Sequence, residues 1–156
     1  RAMNRHKQFL ILIVTAILLA SCGPSIVVEN KTSFPVRVVV RDGGHSEVVS
    51  PSPGESSTVV SEGGAYKATV IPDAEWIEYA KLTRKVLNDQ LANSDKLTGA
   101  QLLEVIRRLK DVAQRMQQYE QAAGSAAVCG GRLAEDSTGL VVVSASDTGK
   151  LVISCR

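Results

Sequence analysis

The chain has 156 residues, enough for one domain with a real hydrophobic core. Its 18 Lys and Arg against 16 Asp and Glu leave a formal charge of +2, too close to balance for a nucleic-acid-binding footprint. Aromatic residues make up only 4% of the chain, which disfavours a stacking platform for bases or sugars.

The chain begins with a basic group, Arg5-His6-Lys7, followed by an uncharged apolar run from Phe9 to Ala20 and the tetrad Leu19-Ala20-Ser21-Cys22. As a helix that run reaches about 18 Å, short of the roughly 30 Å hydrocarbon core of a bilayer, and it fits the hydrophobic region of a signal peptide. The tetrad resembles the lipobox of bacterial lipoproteins. That resemblance implies a diacylglyceryl group on the Cys22 thiol, cleavage before it and an acylated new N-terminus. It covers the N-terminal segment alone and implies nothing about the fold that follows. The alternative is that residues 1–21 stay in place as an N-terminal membrane helix, although Gly23-Pro24 interrupts a regular helix just beyond them. Either fate puts residues 22–156 on the extracytoplasmic face of a membrane, with inner and outer membrane both open. Arg1, Arg5 and Lys7 belong to this segment, so its removal turns the slight positive balance slightly negative.

With Cys22 committed to lipid, Cys129 and Cys155 remain as an even pair in an oxidising compartment, and a disulfide is expected. Closing a loop of that length stabilises a chain by about 3–4 kcal/mol in the entropy model. The two are far apart, no CxxC occurs, and His45 is the one histidine outside the signal, so no metal site is expected.

From Ser25 to Pro72 the period is that of strands. Ser25–Asn30 is followed by a turn at Asn30-Lys31-Thr32-Ser33 and then by Phe34–Arg41. In that second strand Val36, Val38 and Val40 share one face and Arg37 and Arg41 the other. Asp42-Gly43-Gly44 predicts a hairpin turn into a third strand at 45–50, which ends at Pro51-Ser52-Pro53-Gly54. Two more strands, at 56–61 and 65–71, are joined by Glu62-Gly63-Gly64. In the latter, Tyr66, Ala68 and Val70 alternate with Lys67 and Thr69.

At Pro72-Asp73 the period changes to that of a helix. Asp73 is placed to cap a helix reaching Asn93, with a stripe of Trp76, Ala80, Thr83, Leu87 and Leu91 widened by Ile77 and Leu82. After a polar break, Thr98-Gly99-Ala100-Gln101 reads as a capping box opening a second helix that ends at Gly124. Leu102, Val105, Leu109, Val112, Met116, Tyr119 and Ala123 recur at alternating steps of three and four, the seam of a helix pair or coiled coil. It packs against the first helix or the sheet, or docks on another protein. Strands return at 126–130, 139–146 and 150–155, with a tight turn at Asp147-Thr148-Gly149. The expected fold is therefore mainly β: an antiparallel β-sandwich, Ig-like or similar, of seven or eight strands in one domain over 22–156. A helical hairpin is inserted at about 73–123.

No catalytic constellation is legible. His45 reads as a solvated turn residue and Glu135-Asp136 as a polar loop. The pairs Gly43-Gly44, Gly63-Gly64 and Gly130-Gly131 read as strand turns. None opens a helix in a phosphate-binding pattern, so neither a nucleotide nor any cofactor beyond the covalent lipid is expected. Arg107, Arg108, Lys110 and Arg115 form a basic cluster on the second helix. It is interleaved with acids that pair Arg108 with Glu104 and Arg115 with Asp111, and it is the candidate surface for an acidic partner. Address and architecture together suggest a non-catalytic envelope lipoprotein, an accessory or structural subunit of a membrane protein complex. The alternatives are a stand-alone ligand- or surface-binding module and an enzyme with an unrecognised site.

Overall fold

A computed structural model describes residues 23–156; the expected signal segment, with its Phe9–Ala20 run and Cys22, lies outside them. The described chain is mainly β, with two four-stranded sheets and two long helices. The strands are β1 (Ser25–Asn30), β2 (Val36–Asp42), β3 (His45–Val49), β4 (Ser56–Val60) and β5 (Gly64–Pro72). After helices α1 (Ala74–Ala92) and α2 (Gly99–Ala122) come β6 (Ala127–Leu133), β7 (Thr138–Ala145) and β8 (Leu151–Cys155). One sheet has the order β4-β1-β7-β8 and the other β3-β2-β5-β6.

Alternation decides which face of each strand is buried. Val36, Val38 and Val40 of β2 and Tyr66, Ala68 and Val70 of β5 point into one hydrophobic cluster. Ile26 and Val28 of β1 and Val141 and Val143 of β7 enter the same cluster from the other sheet. Removing a Val or Ile side chain of this kind from water contributes about 1.5–3 kcal/mol.

Two strand expectations need correction. The pairing is not antiparallel throughout, because β1 and β7 run parallel, from Ser25 opposite Thr138 to Asn30 opposite Val143. Nearly the whole described chain intervenes between these strands. No hairpin constrains their direction, and a parallel pair is free to form. Gly130-Gly131 is not a turn either: it lies inside β6, opposite Lys67 and Tyr66 of β5. A Cβ at Gly131 would stand 2.6 Å from the Tyr66 ring, so the glycine makes room for that ring and the strand continues to Leu133.

The passage from β1 to β2 takes the chain from one sheet to the other in five residues. It is held by Asn30, which is 1% exposed and fully hydrogen-bonded. Its amide nitrogen donates to the carbonyls of Phe34 (3.0 Å) and Pro51 (2.9 Å). Its Oδ1 accepts from the backbone N–H (2.9 Å) and hydroxyl (2.7 Å) of Thr32. One side chain thus bonds backbone groups from two loops, sharing the Phe34 carbonyl with the Thr32 hydroxyl (2.6 Å).

The helices form locally as expected. Asp73 caps α1 by accepting from the Glu75 N–H at 3.1 Å. Thr98 and Gln101 complete a capping box on α2, and Gly124 follows its end at φ 76°. Along the α2 seam, Val105, Met116 and Tyr119 are buried, and Ala122 rather than Ala123 completes it. On α1 only Ala80 and Leu87 are fully buried, and Leu82, expected to widen the stripe, is 65% exposed. Two helices in contact cover only a narrow stripe on each, and among the described residues no third layer shelters Leu82.

Cys129 of β6 and Cys155 of β8 are joined as a disulfide with Cα atoms 5.7 Å apart. Each lies on an edge strand, so the bond ties the two sheets together along one side. Asn30→Ala strands the Pro51 carbonyl, while the Phe34 carbonyl keeps the Thr32 hydroxyl at 2.6 Å, and is expected to cost about 1–3 kcal/mol in urea unfolding of the oxidised protein. Reduction of Cys129–Cys155 should cost about 3–4 kcal/mol in the same measurement. Mass spectrometry of unreduced peptides should recover the two cysteines in one linked species.

Candidate functional site

The helix pair meets the sheets only at its root. Tyr119 and Ala122 at the end of α2 and Trp76 and Ile77 at the start of α1 join the hydrophobic cluster of the sheets. Ala80, Leu87, Val105 and Met116 are buried outside that cluster, where the helices cover each other. The 24 residues of α2 correspond to about 36 Å of helix, so most of the pair projects as an arm.

Three aromatic rings make the root. Phe34 is 1% exposed and meets Tyr119 edge-on, with centroids 5.7 Å apart and planes at 75°. Trp76 completes the group, at 6.4 Å from Phe34 and 5.6 Å from Tyr119. Such contacts contribute about 0.5–1.5 kcal/mol each beyond the area they bury. Ser33 donates to Gln118 beside them. Arg37 Nη2 reaches Glu75 Oε1 at 3.1 Å and Asp73 Oδ1 at 3.5 Å, a solvated link worth little alone. Burial pushes the Tyr119 hydroxyl above its ordinary pKa.

Beyond the root, the arm carries apolar side chains that neither helix covers. Tyr79, Leu82 and Val86 recur at helical spacing on α1, and Leu103 and Ile106 lie three apart near the start of α2. Leu103 is 71% exposed. Single exposed apolar residues are ordinary, but five on one two-helix element are a concentration of the kind found where proteins meet.

The basic cluster lies on the same arm, with pairings that differ from those expected. Arg107, not Arg108, holds Glu104, with Nε and Nη2 each 2.9 Å from one carboxylate oxygen. At i,i+3 the guanidinium engages both carboxylate oxygens. This hydrogen-bonded pairing holds the Glu104 carboxyl below the usual carboxylate range. Arg115 pairs with Asp111 at 3.2 Å, as expected. Arg108 and Lys110 make no ion pair among the described residues.

A second feature had no counterpart in the sequence reading. On the side opposite the disulfide, the edge strands β3 and β4 bound a cleft of about 380 Å³ lined by Val40, Asp42, His45, Glu47, Val59 and Glu62, among others. His45 is exposed, with Nε2 2.9 Å from Glu62 Oε1. Among the described residues no three His, Cys, Asp or Glu side chains come together as a metal site, and no helix is long and apolar enough to cross a membrane.

Comparison with known proteins adds little. No protein-family model matches the chain, and no curated protein does. The chain is similar to a solved structure titled "NMR structure of the protein from Eubacterium rectale". The match covers 86% of this chain and 89% of that one at 8% identity and a TM-score of 0.46, too low to bear on function.

Phe34→Ala should cost about 3–5 kcal/mol, because it leaves a cavity at the root of the arm. Leu82→Glu and Leu103→Glu, both at exposed positions, should change unfolding stability by no more than about 0.5 kcal/mol. Urea titrations of the three variants check both statements.

Proposed function

We propose that the chain is a membrane-anchored extracytoplasmic lipoprotein, non-catalytic, acting as an accessory or structural subunit that binds a membrane protein complex. The observation that carries the partner-binding half is the arm, rooted on the sheets and bearing exposed Tyr79, Leu82, Val86, Leu103 and Ile106. Water-exposed apolar area of this kind gains free energy only when another surface covers it. Arg108 and Lys110 beside it would meet an acidic rim on the partner, contributing orientation and association rate more than affinity.

The anchoring half rests on the resemblance of Leu19-Ala20-Ser21-Cys22 to a lipobox. A disulfide between Cys129 and Cys155 suits the oxidising compartment that such a signal implies. The non-catalytic reading is supported by the use of the polar groups: His45 faces a solvated carboxylate, and the two described thiols are joined to each other. The proposal calls for no nucleic acid, nucleotide or cofactor apart from the lipid on Cys22.

We read the fold at finer grain as an Ig-like sandwich, one domain over 22–156, with α1 and α2 as an inserted helical hairpin. In support, β5 and β6 pair in continuous antiparallel register from Gly64 opposite Leu133 to Val70 opposite Ala127. A short turn could join such strands, and the helices stand in its place.

Two measurements test the proposal. Cys22→Ala should remove the acyl mass and release the protein from the membrane fraction; a variant that stays bound without acylation would replace the lipid anchor with a retained N-terminal helix. The wild-type protein, extracted in mild detergent, should co-elute with a membrane complex on size exclusion, and the Leu82→Glu/Leu103→Glu double variant should elute free of it. If the wild type runs alone and deletion of residues 73–123 leaves every membrane complex intact, the accessory-subunit reading fails.

A further inference from the structure

The cleft between β3 and β4 is built in a way that the edges of sheets do not explain. Asp42 ends β2 in phase with Val36, Val38 and Val40, so its side chain turns to the inner face, where it is only 5% exposed. One carboxylate oxygen, Oδ2, is used: it accepts from the Ser61 hydroxyl and, at 2.7 Å, from the Glu62 backbone N–H. The other, Oδ1, is buried without a hydrogen-bond partner among the described residues. A buried carboxylate oxygen lacking a donor is costly to keep, and such a group calls for an explanation.

The surroundings of that oxygen are mainly acidic, with His45 held against Glu62 at 2.9 Å. In an antiparallel pair, residues directly opposite share a face, so His45, opposite Asp42, and Glu47, opposite Val40, also project to the inner face of the sheet. Glu62 arrives from the β4–β5 turn. Among the described residues the cleft is lined by no Lys or Arg; Val40 and Val59 lie buried beneath it and Val60 is exposed at its side. Inward charges on an edge strand discourage strand-to-strand aggregation, which accounts for Glu47. That reason does not reach Asp42, which sits on a central strand and is buried.

We propose that this cleft binds an organic cation with N–H donors, a primary ammonium or a guanidinium, on a short aliphatic stem. The N–H group supplies the donor that Asp42 Oδ1 lacks, the stem lies against Val60, the exposed apolar residue of the lining, and Glu47 and the His45-linked Glu62 form the acidic rim. A metal ion fits less well, because the acidic side chains do not converge as a ligand set. At about 380 Å³ the cleft is within the range of small-molecule sites. The site is separate from the arm and independent of the partner proposed for it.

The test is NMR titration of the ¹⁵N-labelled full chain in detergent micelles with butylammonium, butylguanidinium and tetramethylammonium chlorides and with N-acetyl-lysine-methylamide. Saturable shifts at Asp42, Ser46, Ser61 and Glu62 are expected with the N–H cations and none with tetramethylammonium, which has no N–H. Asp42→Asn should weaken binding at least tenfold, and Glu47→Gln/Glu62→Gln several-fold. The second variant alters only exposed side chains and carries the test if Asp42→Asn does not fold. Tighter binding of the lysine derivative than of butylammonium assigns the site to a basic side chain of a protein, and equal binding assigns it to free amines. Absence of saturable shifts, equal response to tetramethylammonium, or undiminished binding by the folded double variant would overturn the proposal.

Discussion

A chain that leaves one sheet and enters the other within five residues must bury the peptide groups of the crossing. The corner from Asn30 to Phe34 solves that problem and sets much else. Asn30 supplies both donors and the acceptor that the crossing needs, and it also holds the Pro51 carbonyl of the β3–β4 connection. Phe34, at the far end of the corner, is the largest wholly enclosed side chain among the described residues. Its ring is the seat on which Trp76 and Tyr119 root the helices. The same few residues therefore join the sheets and aim the arm.

The two open sides of the paired sheets are treated differently. One is closed by a covalent bond between edge strands β6 and β8, next to the point where α2 returns to the sheets. The other, between β3 and β4, is left as an acidic cleft. A disulfide restrains the unfolded chain and links the two sheets covalently on the side near the arm. Such a link suits an element whose exposed apolar side chains lie far from the core, because a mobile base would cost ordering entropy on contact. The cleft, with a buried carboxylate oxygen lacking a donor, keeps a polar cost that only an added group relieves.

Much of the local structure was legible because it depends on neighbours in sequence. The alternation of Val36, Val38 and Val40, the cap at Asp73, the capping box at Thr98 and the seam from Leu102 to Tyr119 all follow from period and spacing. Leu82 was misread because periodicity says which residues could be covered, not how wide the covering surface is. Arg107 displaced Arg108 at Glu104 because side-chain geometry, not spacing alone, selects between i+3 and i+4. Gly130-Gly131 resembles a turn in isolation and became a strand because Tyr66, more than sixty positions away, needed the space.

The sequence by itself determined most of the strand and helix segments, β6 beyond Cys129 excepted, with the helix caps and the pairing of Cys129 with Cys155, since each rests on short-range pattern or on parity. Only the tertiary structure decided that β1 and β7 run parallel, that the helices stand off the sheets on a root of three aromatics, and that Asp42 meets His45, Glu47 and Glu62 at one cleft. Those features depend on which distant segments share space. Asp42 carries the same alternating pattern as the valines before it, and only the arrival of the β4–β5 turn makes its buried oxygens matter.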